Sequence, residues 1–522
     1  MTSRIVITSC LIICFFALMI GIGIRSRKHA TDVNGFVLGS RSVGPWLSAF
    51  AFGTSYFSAV IFVGYAGQFG WNFGIASTWI GLGNAFIGSL LAWSVLGRRT
   101  RIMTQHLSSK TMPDFFGSRF NSKGLKVAAS VITFIFLIPY TASLYNGLSR
   151  LFAMAFGNIN YAYCVIAMAV LTGIYVIIGG YMATAINDFI QGLIMLVGIA
   201  LVVGAVLNGH GGLLQSTQSL AQVTGDAGWQ GAYASFLGPN PLFLFFVVML
   251  TSLGTWGLPQ MVGKFYAIKN EDSIKKGTVI STIFAIVVAG GCYFLGGFGR
   301  LYNIDVKALG FDAVIPAMLE TLPDVIIGIV IVLVLSASMS TLSSLVLTSG
   351  STITLDFIEP MTKKGLSEKK KMLIMRLFIV VFVIISAVIA IYQAKSKNMY
   401  IAQMMGVSWG ALAGAFLAPF LYGLYYKKTS KAAVIACFIY GVGLEIIQLC
   451  VSLKWLDVSS NAVLNFVFTN SLYSGVFAMV GGLVLVPVVS WITPKSRPKD
   501  VDKMFACYND TKTVEITDSL GD

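Results

Sequence analysis

Charge is what this chain has least of: of its 522 residues only 11% are Asp, Glu, Lys or Arg, while 56% are hydrophobic. A mean hydropathy of +0.81 excludes an ordinary water-soluble domain. Histidine is scarcer still, at three residues, and the seven cysteines include no C-x-x-C pair, so neither a zinc centre nor a disulfide framework is expected. Acidic residues number 21 against 36 basic ones, but the resulting net charge of +15 is not spread along a face that could read nucleic acid. It falls in short clusters between apolar runs, which leaves a membrane lipid environment as the expected surroundings.

Apolar runs long enough to cross a hydrocarbon core of about 30 Å recur along the chain. Thirteen are predicted, at 4–24, 45–70, 73–97, 124–152, 159–180, 187–207, 240–265, 277–300, 323–356, 372–393, 400–426, 432–453 and 472–493. The first has Arg25, Arg27 and Lys28 behind it and no small-residue cleavage site, and so reads as a retained helix. Placing the N-terminus outside puts the basic clusters within 25–41, 98–126, 264–276, 363–371, 427–431 and 495–512 on one side, 28 of the 36 Lys and Arg. By the positive-inside rule that side is the cytoplasm, so Lys264, Lys363, Lys364 and Lys512 count as inner-loop or tail residues and Lys397 as an outer one. Residues 1–493 form one transmembrane domain in this reading, and 494–522 a cytoplasmic tail without structure.

Two spans carry internal interruptions. Ser48-Ala-Phe-Ala-Phe-Gly-Thr-Ser-Tyr-Phe-Ser-Ala59 dilutes the second span with small and hydroxyl residues, and Thr251-Ser-Leu-Gly-Thr-Trp-Gly-Leu-Pro-Gln260 sets Gly254, Gly257 and Pro259 in the middle of the seventh. Proline cannot donate a helical hydrogen bond, and broken helices in corresponding positions of two halves point to the binding site of a secondary transporter. The two lie five spans apart, the spacing of inverted five-helix repeats over 45–207 and 240–426, with 432–493 as two final helices. Close helix packing through small residues is the competing explanation.

In the ninth span, Ala337, Ser340, Thr341 and Ser344 share a helical stripe. Hydroxyl and carbonyl oxygens suit a hard monovalent cation, although such hydroxyls also bond back to their own helix. Asp188, in Ile186-Asn-Asp-Phe-Ile-Gln191, is read as the one carboxylate in or at the edge of an apolar run without basic neighbours. An N-cap of the sixth span and a functional role are both open to it.

Four stretches then carry a resemblance: Leu38-Gly-Ser-Arg-Ser-Val-Gly-Pro45, Ile178-Gly-Gly-Tyr-Met-Ala-Thr-Ala-Ile-Asn-Asp-Phe-Ile-Gln-Gly192, Gly257-Leu-Pro-Gln260 and Met339-Ser-Thr-Leu-Ser343. In this order the chain, from Phe36 to Ser490, resembles the sodium/solute symporter family, most nearly its sodium/proline and sodium/pantothenate carriers. The resemblance implies an all-α, leucine-transporter-type inverted-repeat fold in a plasma membrane. It implies alternating-access import of a small organic solute with Na+ as coupling ion, and no enzymatic activity.

The family's common sodium site corresponds to carbonyls of Thr54 and Phe57 and to Ala337, Ser340 and Thr341. A second site seen in some members corresponds to Asp188, Ser340, Ser343 and Ser344. Ser55, Tyr56, Tyr140, Thr255, Trp256 and Gln260 are the candidate solute contacts. Tyr56 stands where the proline carriers resemble one another in having an acidic residue. Here, and in Asn187-Asp188 and Arg300, the chain is more similar to the pantothenate carriers. No organic cofactor, nucleic-acid partner or oligomer is required. An ion channel and an intramembrane sensor or enzyme are the alternatives, though no paired catalytic carboxylates or nucleophile elbow supports the latter.

Overall fold

In hydrocarbon every backbone amide must find a partner within the protein, and a chain this apolar answers with helices. The computed structural model describes residues 2–157, 160–362, 365–396 and 401–509. Lys363, Lys364, Lys397 and Lys512, counted in the loop charge bias, and the tail beyond 509 lie outside the described residues. Among the described residues there is no strand, only a lone parallel bridge between Val43 and Ile268.

Among the described residues, ten helices are long and apolar enough to cross a membrane, eleven if the bent pair Pro241–Gly257 and Pro259–Tyr266 is one span. The number differs from the thirteen expected partly because expected spans run together. Tyr161–Gly209 has 49 residues, about 74 Å of helix at 1.5 Å per residue, enough for two crossings. It folds at Gly180, whose φ of 55° and ψ of −148° only glycine adopts without strain. The backbone of Phe36 also lies where a Cβ on Gly180 would go.

The two predicted interruptions are real breaks. Helix Pro45–Tyr56 stops at Phe57 (φ −99°, ψ 112°), and the chain resumes as a π-helical segment, Val60–Tyr65. Helix Pro241–Leu253 tightens into a 3₁₀ turn over Gly254–Gly257, and Leu258 (φ −86°, ψ 119°) separates it from Pro259–Tyr266 at an angle of 47°. Pro259 opens the second arm, where a missing N–H costs nothing. The first break packs against the arm of the hinged helix beyond Gly180 and against the serine-rich helix Asp324–Thr352. At Gly192, a Cβ would strike the Phe50 ring and Thr54.

The ends of the two broken spans that lie away from the breaks themselves are tied to each other. Val43 N–H donates to Ala267 O (3.1 Å), and Lys269 N–H donates to Val43 O (2.9 Å). The Arg41 guanidinium donates to Tyr266 O (3.0 Å) and Ser109 O (2.7 Å).

Several polar residues sit where the sequence reading did not put them. Lys264, Arg101 and Arg119, counted among the loop cations, are buried at 4%, 1% and 0% exposure. Asp188 is not alone, since Asp356 and Glu445 are also fully buried carboxylates in apolar helices. The start of the tail is structured: helix Val501–Ala506 buries Val501 and Phe505, and Arg119 lies 5.0 Å from the Phe505 ring.

Candidate functional site

Because Pro45–Tyr56 ends in mid-bundle, the carbonyl of Thr54 has no helical amide to accept from. The serine-rich helix supplies hydroxyls instead. Ser340 Oγ lies 3.1 Å from Thr54 O and 3.2 Å from Ala337 O. Thr341 Oγ1 lies 3.2 Å from Thr54 O, 3.1 Å from Ala337 O and 3.5 Å from Ser55 O. Each hydroxyl has one proton, so these five O···O approaches share two hydrogens and leave a surplus of lone pairs. Thr54, Ser340 and Thr341 are fully buried and Ala337 is 2% exposed. Phe57 closes the break and lines, with Ala337 and Ser58, a void of about 10 Å³. Of the residues expected at the common sodium site, Thr54, Ala337, Ser340 and Thr341 thus bring neutral oxygens together at a helix break, a donor set that suits a hard monovalent cation, and Phe57 lines the adjacent void.

About one turn further along the serine-rich helix the chemistry changes. Asp188 is fully buried and lies two turns inside the arm that begins after Gly180. The N-cap alternative is therefore excluded, because the helix starts well before it. The nearest cation is Lys264, whose Nζ is 3.5 Å from Asp188 Oδ2 and 2.9 Å from Ser344 Oγ, and 5.3 Å from the centre of the Tyr181 ring. Ser344 Oγ in turn meets Ser55 Oγ at 2.7 Å. Ser343 Oγ bonds back to Ser340 O at 2.9 Å, and Asp188 Oδ1 has no partner. Lys264, Tyr181, Gln260 and Ser344 line a crevice of about 50 Å³ that runs toward Lys110 and Thr111.

The aromatic candidates gather on the other side of the first break. Tyr56 stacks on Phe57 (centroids 4.6 Å apart), and its hydroxyl donates to Thr251 O, joining the two broken spans. Tyr140 meets Trp409 edge to face at 6.0 Å, and Trp409 lies 6.1 Å from Tyr56. Trp409 was not among the sequence candidates, nor was Ser58. The Tyr140 hydroxyl is fully buried beside the side-chain polar atoms of Ser58 and Trp409, which are buried as well. Both side-chain polar atoms of Gln260 are unpartnered.

Thr255 and Trp256 are differently occupied. Thr255 Oγ1 bonds back to Ser252 O (2.9 Å) and lies 3.3 Å from Gly88 O, and Trp256 Nε1 donates to Ile87 O (3.0 Å), so both fasten the second break to the segment around Ile87 and Gly88. Arg300 sits apart. It donates to Trp71 O (2.6 Å) and Asp226 (3.0 Å) and covers the Tyr233 ring, and this guanidinium holds the Asp226 carboxyl below its ordinary range. Among the described residues no three His, Cys, Asp or Glu side chains converge as a metal centre would require.

Known proteins resemble this chain over most of its length. A curated sodium/proline symporter from Staphylococcus aureus (strain bovine RF122 / ET3-1) is 27% identical over 503 residues, 94% of this chain and 93% of its own length, and the one from strain JH9 is equally similar. Among solved structures, a Na+-coupled sialic acid symporter in a substrate-bound outward-open state, described as revealing a novel Na+-site, superposes with a TM-score of 0.70. It shows 17% identity over 93% of this chain and 98% of that one. A manganese transporter from Eremococcus coleocola gives a TM-score of 0.51 at 12% identity, over 88% of this chain and 96% of that one. These likenesses establish the leucine-transporter-type helical fold. The description "Sodium:solute symporter family" matches residues 36–441, most of the length, and the chain belongs to that family.

Proposed function

We propose that this protein imports a small zwitterionic or anionic organic solute, an amino acid such as proline or a carboxylate such as pantothenate, by sodium-coupled alternating access across a plasma membrane. Its N-terminus lies outside and its C-terminal tail in the cytoplasm. The observation that carries the reading is the convergence of Thr54 O, Ala337 O, Ser340 Oγ and Thr341 Oγ1 at a helix break, with more lone pairs than protons. A sodium ion there is the substrate that supplies the driving force. It ties the first broken span to the serine-rich helix, and that tie positions Tyr56, Phe57 and Ser58 for solute. The solute compartment is bounded by Tyr56, Ser58, Tyr140 and Trp409, whose apolar faces and few buried polar atoms match a compact solute with a few polar groups.

Proline carriage is supported by the 27% identical S. aureus relatives, and a carboxylate solute by the lack of an acidic side chain at Tyr56. The neighbouring family name and fold are those of secondary transporters, and nothing in them supports a channel, sensor or enzyme. Thermal stabilisation of purified protein by proline, pantothenate and simple monocarboxylates, each in sodium and in potassium chloride, tests the reading. The expected result is a solute-dependent shift in sodium alone. Equal shifts in both salts contradict sodium coupling, and shifts with none of these solutes contradict the solute class.

A further inference from the structure

We propose that Lys264 is a covalently tethered cation that occupies the place of a second coupling ion beside Asp188, so that the protein binds and carries one sodium ion per solute. The inference rests on the sodium-symport reading above and specifies its stoichiometry.

Four separate elements meet at the Lys264 ammonium. Asp188 comes from the hinged helix, Ser344 from the serine-rich helix, Ser55 from the first break through its 2.7 Å contact with Ser344, and Lys264 itself from the second arm of the second break. A monovalent ion bound between a carboxylate and serine hydroxyls would join these same helices. The ammonium supplies the same single positive charge and donates hydrogen bonds where an ion would accept lone pairs.

Burial makes the assignment exclusive. Asp188 is fully buried and the Lys264 side chain is 5% exposed, so the carboxylate's charge is already balanced and little water is available to screen another. A sodium ion added about 4 Å from the ammonium would meet a like charge. With an effective dielectric constant near 20, that repulsion weakens binding by roughly a thousandfold relative to the same carboxylate site without the ammonium. The common site, about a turn back along the same helix at Ser340 and Thr341, is formed by neutral oxygens, and its greater distance from the ammonium makes this penalty smaller. Lys264 also lines the crevice with Gln260, Tyr181 and Ser344, whereas Asp188 does not reach it. An ion can dissociate in each transport cycle, whereas a side chain stays.

Equilibrium binding of radiolabelled sodium to the purified full-length protein in choline chloride is the test. The wild type is expected to bind one ion with a non-sigmoidal dependence. Lys264→Met, which keeps the length and removes the charge, is expected to bind a second ion in competition with none of the first. Lys264→Met/Asp188→Asn is expected to return to one. A wild type that binds two ions, or a folded Lys264→Met that binds only one, overturns the tethered-cation proposal and leaves sodium symport standing. A wild type that binds no sodium instead overturns the symport reading itself. Should Lys264→Met be too unstable to purify, its abundance in membranes is compared in high sodium and high potassium. Recovery in sodium is expected, and equal abundance in both salts overturns the proposal.

Discussion

Two clusters on one face of the serine-rich helix, about a turn apart, treat positive charge in opposite ways. Around Ser340 and Thr341 only neutral oxygens converge, five close O···O approaches sharing two protons. Around Ser344 a buried carboxylate already has its ammonium, at 3.5 Å. The first cluster gains from a cation taken from solution, and the second already holds one positive charge within the chain. Both are held by the same broken helix, through Thr54 and Ser55, so a single turn separates a group that exchanges its ion from one that keeps it.

The largest effect that can break this comparison is expected from Asp188→Asn. It strands the Lys264 ammonium without a counter-charge, and breaking a buried pair from one side costs about 3–5 kcal/mol. A marked fall in thermal stability and membrane abundance is expected, with much of it recovered in Lys264→Met/Asp188→Asn. An Asp188→Asn protein as stable as wild type would show that the pair carries no weight.

Gly180→Ala comes next. It places a side chain at φ 55°, ψ −148° and against the Phe36 backbone, a strain of about 1–3 kcal/mol that acts on the arm carrying Asp188. Loss of stability should therefore exceed any change in sodium affinity of the common site. The reverse order would mean that the hinge positions the neutral cluster instead.

Thr341→Ala removes one oxygen from the neutral cluster. The half-saturating sodium concentration for proline or pantothenate uptake is expected to rise roughly tenfold, about 1.4 kcal/mol, with protein abundance close to wild type. Tyr56→Phe is the mildest. It deletes one hydrogen bond to Thr251 O, about 1 kcal/mol, and should alter solute affinity while sodium-induced stabilisation stays.

Much of the neutral cluster is legible in the sequence, because its determinants are local. Small and hydroxyl residues in 48–59, glycines and a proline in 251–260, and hydroxyls at helical spacing in 336–344 each announce themselves within one segment. The charged cluster is not legible in the same way. Lys264 follows an apolar run and precedes Lys269, so by position it reads as one more loop cation, and its partner lies 76 residues away. Asp188 follows asparagine, and that pair resembles a helix start. The start is in fact set upstream by the positive φ of Gly180, which composition does not distinguish from its neighbour Gly179. Ser58 and Trp409 were missed because they become neighbours of Tyr140 only when the first break, the Lys123–Phe156 helix and the Ile401–Tyr425 helix pack together. Glu445, fully buried in the Lys431–Ser452 helix, stood out by charge in an apolar run and was still passed over.

The most direct test of the account is the difference in thermal stability between sodium and potassium chloride, measured without solute for the wild type and for Ser340→Ala/Thr341→Ala. The wild type is expected to be stabilised by sodium over potassium, by about 2.7 kcal/mol at a hundredfold excess over the dissociation constant, and the double variant to show almost no difference between the salts. A double variant that keeps the full sodium-specific shift would contradict the central claim that these hydroxyls, with the carbonyls of Thr54 and Ala337, hold the coupling ion.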